Sequence, residues 1–458
     1  MPTFIFDIGK TNIKGVVLDD LGETIWTRSN RNASLNAGDY QSIDVITAWD
    51  WLKETLRQAA QEYEIESINI STHGACAVLL DQQGELLFPV MDYEVEQLDV
   101  ANASYDEVRP AFSETLSPDL PGGLNLGRQI WWLQHTYPKK FSQLHQILLY
   151  PQYWVWKLTG KAVAEVTSLG CHTDLWEPKQ RRYSTLVKNL AIEHALPSVV
   201  ENYDCVAQVE TGLAVSLGLP ETCNVFAGVH DSNASLARYL ASSLEEPFAV
   251  LSTGTWIIAM TVGSGCDGLC EVRDMLANVD VKGNPVACAR YMGGREFEAI
   301  CEMTGAKPED PIDQTDIDEI IASGVYAVPP FVSGTGPFRE SGRRGKIIGE
   351  VKSGKALATL YQALMMDYEL SLLDARGPVL LGSTSLKNPL LCQILAQLRP
   401  HNDVLMSNDM ASTIRGAWCL TRWQQAMPAS LSAFDKTVSA EISGLQKYRQ
   451  QWLALIND

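Results

Sequence analysis

The feature that most limits what this chain can fold into is an apolar strand that ends on a carboxylate and turns through glycine into a second strand. Phe4-Ile5-Phe6 runs into Asp7, then Gly9-Lys10-Thr11-Asn12, and Ile13 starts a second apolar run. Consecutive apolar residues suit a strand buried on both faces. A carboxylate at the end of such a strand can hold a divalent metal, while turn amides and the Thr11 hydroxyl face a phosphate. Gly9-Lys10-Thr11 imitates the close of a P-loop, but Phe4 stands where that motif needs its first glycine. Residues 13–18 also read as β where a P-loop needs a helix.

Strand, small-residue turn and strand occur again further on. Phe248 to Leu251 reads as a strand ending in Ser252-Thr253-Gly254-Thr255, and 256–262 reads as its partner. A third strand, 378–381, ends in Gly382-Ser383-Thr384-Ser385 and is followed by a helix over 389–398. The opening predicts a meander of 3–8, 13–19 and 23–28, a helix over 44–63, and a strand over 67–71 that ends at Thr72-His73-Gly74. A hairpin of 77–80 and 86–90 follows, and later a strand over 223–229 that ends at His230-Asp231. This alternation is an α/β layer pattern. The 458 residues exceed one ordinary core. Glu245-Glu246-Pro247 reads as a hinge, dividing the chain into domains 1–244 and 245–458.

A net charge of −19 argues against nucleic acid or an anionic membrane as partner, since both need basic patches. It does not exclude an anionic nucleotide, whose charge local amides, lysines and Mg²⁺ can offset. No apolar run reaches the length of a spanning helix, and no basic leader precedes the first strand. The ten cysteines show no zinc-type spacing. The expectation is a cytoplasmic protein with reduced thiols.

Three small-residue turns at strand ends, with Asp7 beside the first and His230-Asp231 shortly before the second, point to phosphoryl transfer. That chemistry needs amides and a metal at the phosphates and a carboxylate at the attacking hydroxyl. Asp7 can provide the metal contact and Asp231 the base. Asp231 can equally cap a helix starting near Ser232. The tryptophans at 131, 132, 154 and 156 read as core packing rather than a sugar platform.

At these residues the chain resembles the FGGY carbohydrate kinases of the sugar kinase/Hsp70/actin superfamily. Asp7 to Lys14 looks like the family's first phosphate motif, with Lys10 where threonine is usual. Ser71-Thr72-His73-Gly74 resembles its sugar-side loop. Leu124 to Gln134, and Leu148 to Gly160 followed by Val166-Thr167-Ser168, resemble two further signatures. Gly228-Val229-His230-Asp231 resembles the loop whose aspartate is the base, and Ser252 to Trp256 the second phosphate motif. Pro330 to Gly336 falls at a loop whose usual Glu-Arg is missing. The adenosine motif, commonly Gly-Gly-Gly-Ala, reads Gly382-Ser383-Thr384-Ser385, so side chains replace hydrogen atoms beside the nucleotide.

The resemblance implies two RNase-H-like (actin-like ATPase) α/β domains with an inter-domain cleft. It implies ATP-dependent phosphorylation of a terminal hydroxyl of a small sugar, with Mg²⁺. It assigns Asp7 to the metal and Asp231 to catalysis. It gives Gly9, Lys10, Thr11, Asn12, Lys14, Gly254, Thr255, Gly294, Gly382, Ser383, Thr384 and Asn388 to the nucleotide, and His73, Gly74, Asp92, His230 and Asp231 to the sugar. The substrate is a ketose: a 6-deoxy ketohexose such as L-fuculose or L-rhamnulose, or a ketopentose such as xylulose or ribulose. A non-catalytic sugar or nucleotide sensor on the same fold is the alternative. No nucleic acid or membrane partner is expected, and a homodimer is compatible with the reading.

Overall fold

The computed structural model describes residues 2–36, 39–95, 97–98, 102–382, 388–407 and 411–457. The chain divides into two compact units. The first is Met1–Ser243 with Ala277–Pro285 and Ala411–Ser432; the second is Leu244–Leu276, Val286–Met410 and Ala433–Asp458.

In the first unit, β1 (Thr3–Ile8), β2 (Asn12–Leu18) and β3 (Thr24–Arg31) form the predicted meander, followed by helix α1 (Val45–Glu62) and strand β4 (Ser67–Thr72). Asp44 starts α1 by accepting the Thr47 amide, which satisfies one of the unpaired N–H groups of the first turn. With β5 (Cys205–Gln208) and β6 (Asn224–Phe226), the sheet runs β5-β6-β4-β1-β2-β3. β1 is antiparallel to β2 and parallel to β4.

The run Phe4-Ile5-Phe6 is apolar throughout because β1 is buried on both faces. Phe4, Phe6 and Ile8 enter one core with Val45, Ala48, Leu52, Leu56 and Ala59 of α1. Ile5 enters another, with Val16, Leu18 and residues of helix α2 (Asp231–Leu240) and the helix Ser412–Leu420. These two helices lie very close. A Cβ on Gly416 would come within 1.6 Å of the Ala234 carbonyl oxygen, so only glycine fits there.

The expected hairpin of 77–80 and 86–90 forms only in part. Its turn closes, and the Leu87 amide reaches the Leu79 carbonyl, but pairing stops short of Pro89, which has no N–H to donate. The strand Ala77–Leu80 pairs instead along its length with Gln146–Leu149.

The second unit repeats the plan of the first. β7 (Phe248–Thr253) is antiparallel to β8 (Ile257–Val262), which is antiparallel to β9 (Pro285–Tyr291). Helix α3 (Gly293–Thr304) follows β9 directly, and helix α4 (Gly354–Leu372) precedes β10 (Val379–Leu381). On its other side β7 is parallel to β10, and β10, after helix α5 (Pro389–Leu398), is parallel to β11 (Val404–Met406). Each unit thus opens with a strand that has an antiparallel hairpin partner on one side and a parallel strand on the other. Among the described residues no helix is long and apolar enough to cross a membrane.

Candidate active site

Three parallel strands of the first unit finish in register. Asp7 lies opposite Ser71 and Ile8 opposite Thr72 on β4. The short strand Val229–His230 continues the row, with Val229 opposite Ser71 and His230 opposite Thr72. Gly9, His73-Gly74 and Asp231 therefore leave the sheet at one level. Carboxyl ends of parallel strands are where open α/β sheets bind ligands. Alternation decides the face: Asp7 follows Ile5 by two residues and so shares the side on which Ile5 packs with Ala234 and Ala237 of α2. The helix that Asp231 opens is the helix covering that side.

Burial, and then the charge of Asp231, raise the Asp7 carboxyl from 3.8 to about 6, against the lowering effect of Lys14. Lys14 stands directly across the β1–β2 ladder from Asp7. A buried carboxylate whose ionisation a neighbouring carboxylate opposes suits a hard cation with oxygen ligands. Among the described residues no cluster of three or more His, Cys, Asp or Glu could hold a metal. This donor set fits Mg²⁺, which commonly takes one or two carboxylates and completes its shell with water and phosphate.

Asp231 follows the helix-capping position, which belongs to His230. Its Oδ1 accepts the Ser232 amide at 2.6 Å and the Ser232 hydroxyl at 3.3 Å. Among the described residues every hydrogen bond to this carboxylate falls on Oδ1, which leaves Oδ2 for a substrate proton. Helix initiation and proton abstraction can each use one oxygen.

His230 is buried behind it. The Asn278 carbonyl oxygen accepts from the Val279 amide, so the Asn233 amide must donate to it, at 3.0 Å. The same Asn233 nitrogen lies 3.3 Å from His230 Nδ1. That leaves the imidazole proton on Nε2, which is 3.4 Å from both Asp231 Oδ1 and Cys171 Sγ. Gly74 meets this ring closely, since a Cβ there would be 2.8 Å from His230 Nε2.

His73 is buried, with Nδ1 at 3.0 Å from the Gly74 carbonyl oxygen. Nδ1 therefore carries the proton, and Nε2 is a buried acceptor with no partner. Burial lowers the His73 pKa and keeps the ring neutral. An unpaired buried acceptor is costly unless a ligand hydroxyl satisfies it.

Asp92 is fully buried and its oxygens are already engaged. Oδ1 takes an ion pair from Lys10 and the Glu94 amide at 3.0 Å, and Oδ2 takes the Ser34 hydroxyl at 2.7 Å. Burial alone would raise its pKa, but the Lys10, Glu94 and Ser34 donors together hold it below the usual value. Lys10 thus turns sideways to Asp92, while Thr11 and Asn12 remain exposed at the tip of the turn that the Gly9 amide closes on the Asn12 carbonyl, 2.9 Å away.

In the second unit Gly254 and Thr255 form the exposed turn between β7 and β8. Gly294, in the first turn of α3, donates its amide to the Thr255 carbonyl at 3.1 Å, and a Cβ there would be 2.5 Å from the Gly254 oxygen. Gly294 therefore supports the turn from behind. Gly382 ends β10 with its amide on the Leu251 carbonyl at 3.3 Å. Asn388 caps α5, accepting from the Leu391 amide at 3.3 Å and donating to the Thr359 hydroxyl at 3.1 Å. Ser383 and Thr384 lie outside the described residues.

Several positioning residues escape the sequence reading. Buried Asn69 accepts the Gly228 amide at 3.2 Å and donates to the Ala417 carbonyl at 2.8 Å. Thr167 accepts the His230 amide at 3.1 Å, and buried Glu165 accepts the Thr167 amide and hydroxyl at 2.6 and 2.7 Å. Gly228, in the left-handed region at φ 79°, lets the loop turn between these anchors. Thr167 has a signal in the Val-Thr-Ser run; Asn69 and Glu165 have none, because their partners are remote in sequence.

Comparison with known proteins bears on the family and the fold. L-fuculokinase of Salmonella typhi is 26% identical over 265 residues, 56% of this chain and 55% of that protein. The chain's match thus spans about half the length of that curated relative. The crystal structure of a carbohydrate kinase from Novosphingobium aromaticivorans is 32% identical, covering 99% of this chain and 98% of its own, with a TM-score of 0.91. The ligand-bound xylulose kinase from Lactobacillus acidophilus, 17% identical over 99% of this chain and 96% of its own, shares the fold with a TM-score of 0.80. The fold is that of the actin-like ATPases. Residues 3–237 match the N-terminal domain of the FGGY family of carbohydrate kinases and residues 245–429 the carbohydrate kinase FGGY C-terminal domain, so the chain belongs to the FGGY family.

Proposed function

We propose that this protein is an ATP-dependent kinase that phosphorylates a terminal hydroxyl of a small ketose. The observation that carries the reading is Asp231: it leaves the row of parallel strand ends level with Gly9, its charge acts on Asp7, and it keeps one carboxylate oxygen open. Asp231 Oδ2 takes the hydroxyl proton as that oxygen attacks the γ-phosphate of ATP. The Ser232 amide and hydroxyl hold the other oxygen and so fix the direction of the open lone pairs, with His230 Nε2 3.4 Å from that same oxygen. Asp7 is the ligand for Mg²⁺, which when bound supplies positive charge to the phosphate oxygens. The turn amides and hydroxyls at Gly9, Thr11, Asn12, Gly254 and Thr255, with Lys14, donate to the phosphates. Gly294 keeps the second turn in place, and Gly382 and Asn388 border the nucleoside. The sugar-side role belongs to domain 1–244 and the nucleotide-side role to 245–458.

His73 Nε2 accepts a sugar hydroxyl, and Gly74 and His230 form the adjoining wall. Relatives are named L-fuculokinase, rhamnulokinase and xylulose kinase, so both the 6-deoxy ketohexoses and the ketopentoses belong in the test. The ten cysteines are reduced thiols, eight of them buried, in keeping with a cytoplasmic protein. The test is ADP release with ATP, Mg²⁺ and a panel of L-fuculose, L-rhamnulose, D-xylulose, D-ribulose and glycerol. Ketose-dependent ADP supports the reading. Ketose-independent ADP makes the protein an ATPase, and ketose binding without ADP makes it a sensor.

A further inference from the structure

Lys10 occupies the phosphate turn in sequence, yet its side chain goes elsewhere. Its ammonium pairs with Asp92, lies 3.4 Å from Glu94 Oε2, and sits 4.7 Å above the centre of the Tyr93 ring. Asp92 is in turn held by Ser34 and the Glu94 amide. The Tyr93 and His73 rings meet edge to face with centroids 5.6 Å apart, so Tyr93 bridges Lys10 and the sugar-side loop at His73.

We infer that Lys10 is a specificity-determining residue for the sugar, acting with Asp92 as one unit, and not a phosphate ligand. This rests on the kinase reading for its reaction but not for its binding chemistry. Two consequences follow from hydrogen-bond capacity. Asp92, with both oxygens engaged, has lost most of its ability to accept sugar hydroxyls. The ammonium has three protons; Asp92 and Glu94 attract two, and the third, beside the Tyr93 ring, is the one left for a substrate oxygen. The subsite therefore presents a donor at Lys10 and an acceptor at His73 Nε2, a pairing that a vicinal diol or hydroxyketone satisfies with neighbouring oxygens.

The test is calorimetric titration of the full-length protein with L-fuculose, L-rhamnulose and D-xylulose, and separately with Mg·ADP, for wild type, K10T, D92N and K10T/D92N. The expected result is a roughly 10- to 100-fold weaker ketose Kd for K10T, with the Mg·ADP Kd within about twofold of wild type. D92N should weaken the ketose too, and the double variant no more than K10T alone, because the pair acts as a unit. K10R, which keeps the cation, should restore ketose affinity in part and guards against a folding defect in K10T. The inference is overturned if K10T weakens Mg·ADP and spares the ketose, if the two single effects simply add, or if wild type binds none of the three ketoses. Failure of the kinase reading shows separately, as absent ADP release.

Discussion

The charge of Asp231, distant from Asp7 in sequence, adds to burial in raising the Asp7 carboxyl to about 6. The register of β1, β4 and the short strand Val229–His230 ends all three strands together, with Asp7 level with Val229 and Asp231 leaving just beyond, and the alternation of β1 turns Asp7 to the face that α2 covers. The repulsion between Asp7 and Asp231 is the part of the site that a bound cation relieves.

The raised Asp7 pKa sets a sign for stability. A carboxyl raised above its unfolded value stabilises the fold below about pH 4, where it is protonated in both states. That contribution is lost as pH rises through about 6. Asp7→Asn, which stays neutral, should therefore stabilise the metal-free protein at pH 7 to 8 by up to about 3 kcal/mol and make little difference near pH 4. Denaturant unfolding at both pH values, in EDTA, measures this. Destabilisation at pH 8 would contradict it. Mg²⁺ should raise the stability of wild type and not of the variant.

Gly416→Ala tests the packing beneath the site. Its methyl would need the space of the Ala234 carbonyl oxygen, 1.6 Å away, so the helix Ser412–Leu420 must move from α2. The expected cost is about 1–3 kcal/mol or more in denaturant unfolding, with a loss of turnover because α2 carries Asp231. Wild-type stability would show that the two helices separate easily.

Much of this site was legible in the sequence, and the reasons are local. Asp7, Gly9 and Thr11 follow from a strand and the turn that ends it; Gly254 and Thr255 follow from the same pattern on β7. Asp231 was legible because a strand, a turn and a helix meet there. What was not legible depends on pairs far apart in sequence. Asn69 is identified by Gly228 and Ala417, Asn233 by Asn278, and Lys10 by Asp92. The Ala77–Leu80 strand found its main partner at Gln146–Leu149 because Pro89 interrupts the nearer one. Residues 383–387 of the adenosine motif lie outside the described residues, so the altered Ser383-Thr384-Ser385 stands on the sequence alone.

Gly294→Ala separates a supporting role from a contacting one. The added methyl would meet the Gly254 oxygen at 2.5 Å and displace the second phosphate turn. The KM for ATP should rise roughly tenfold while the ketose KM changes little. An unchanged ATP KM would remove the turn at Gly254-Thr255 from nucleotide binding.

The most direct measurement of the central claim is ketose-dependent ADP release by Asp231→Asn, with ketose affinity measured alongside by calorimetry. The amide keeps an oxygen for the Ser232 N–H and so preserves the start of α2, but it cannot take a proton. The account predicts a fall in kcat of roughly 10²- to 10⁴-fold with the ketose still bound. Near wild-type turnover would contradict Asp231 as the base.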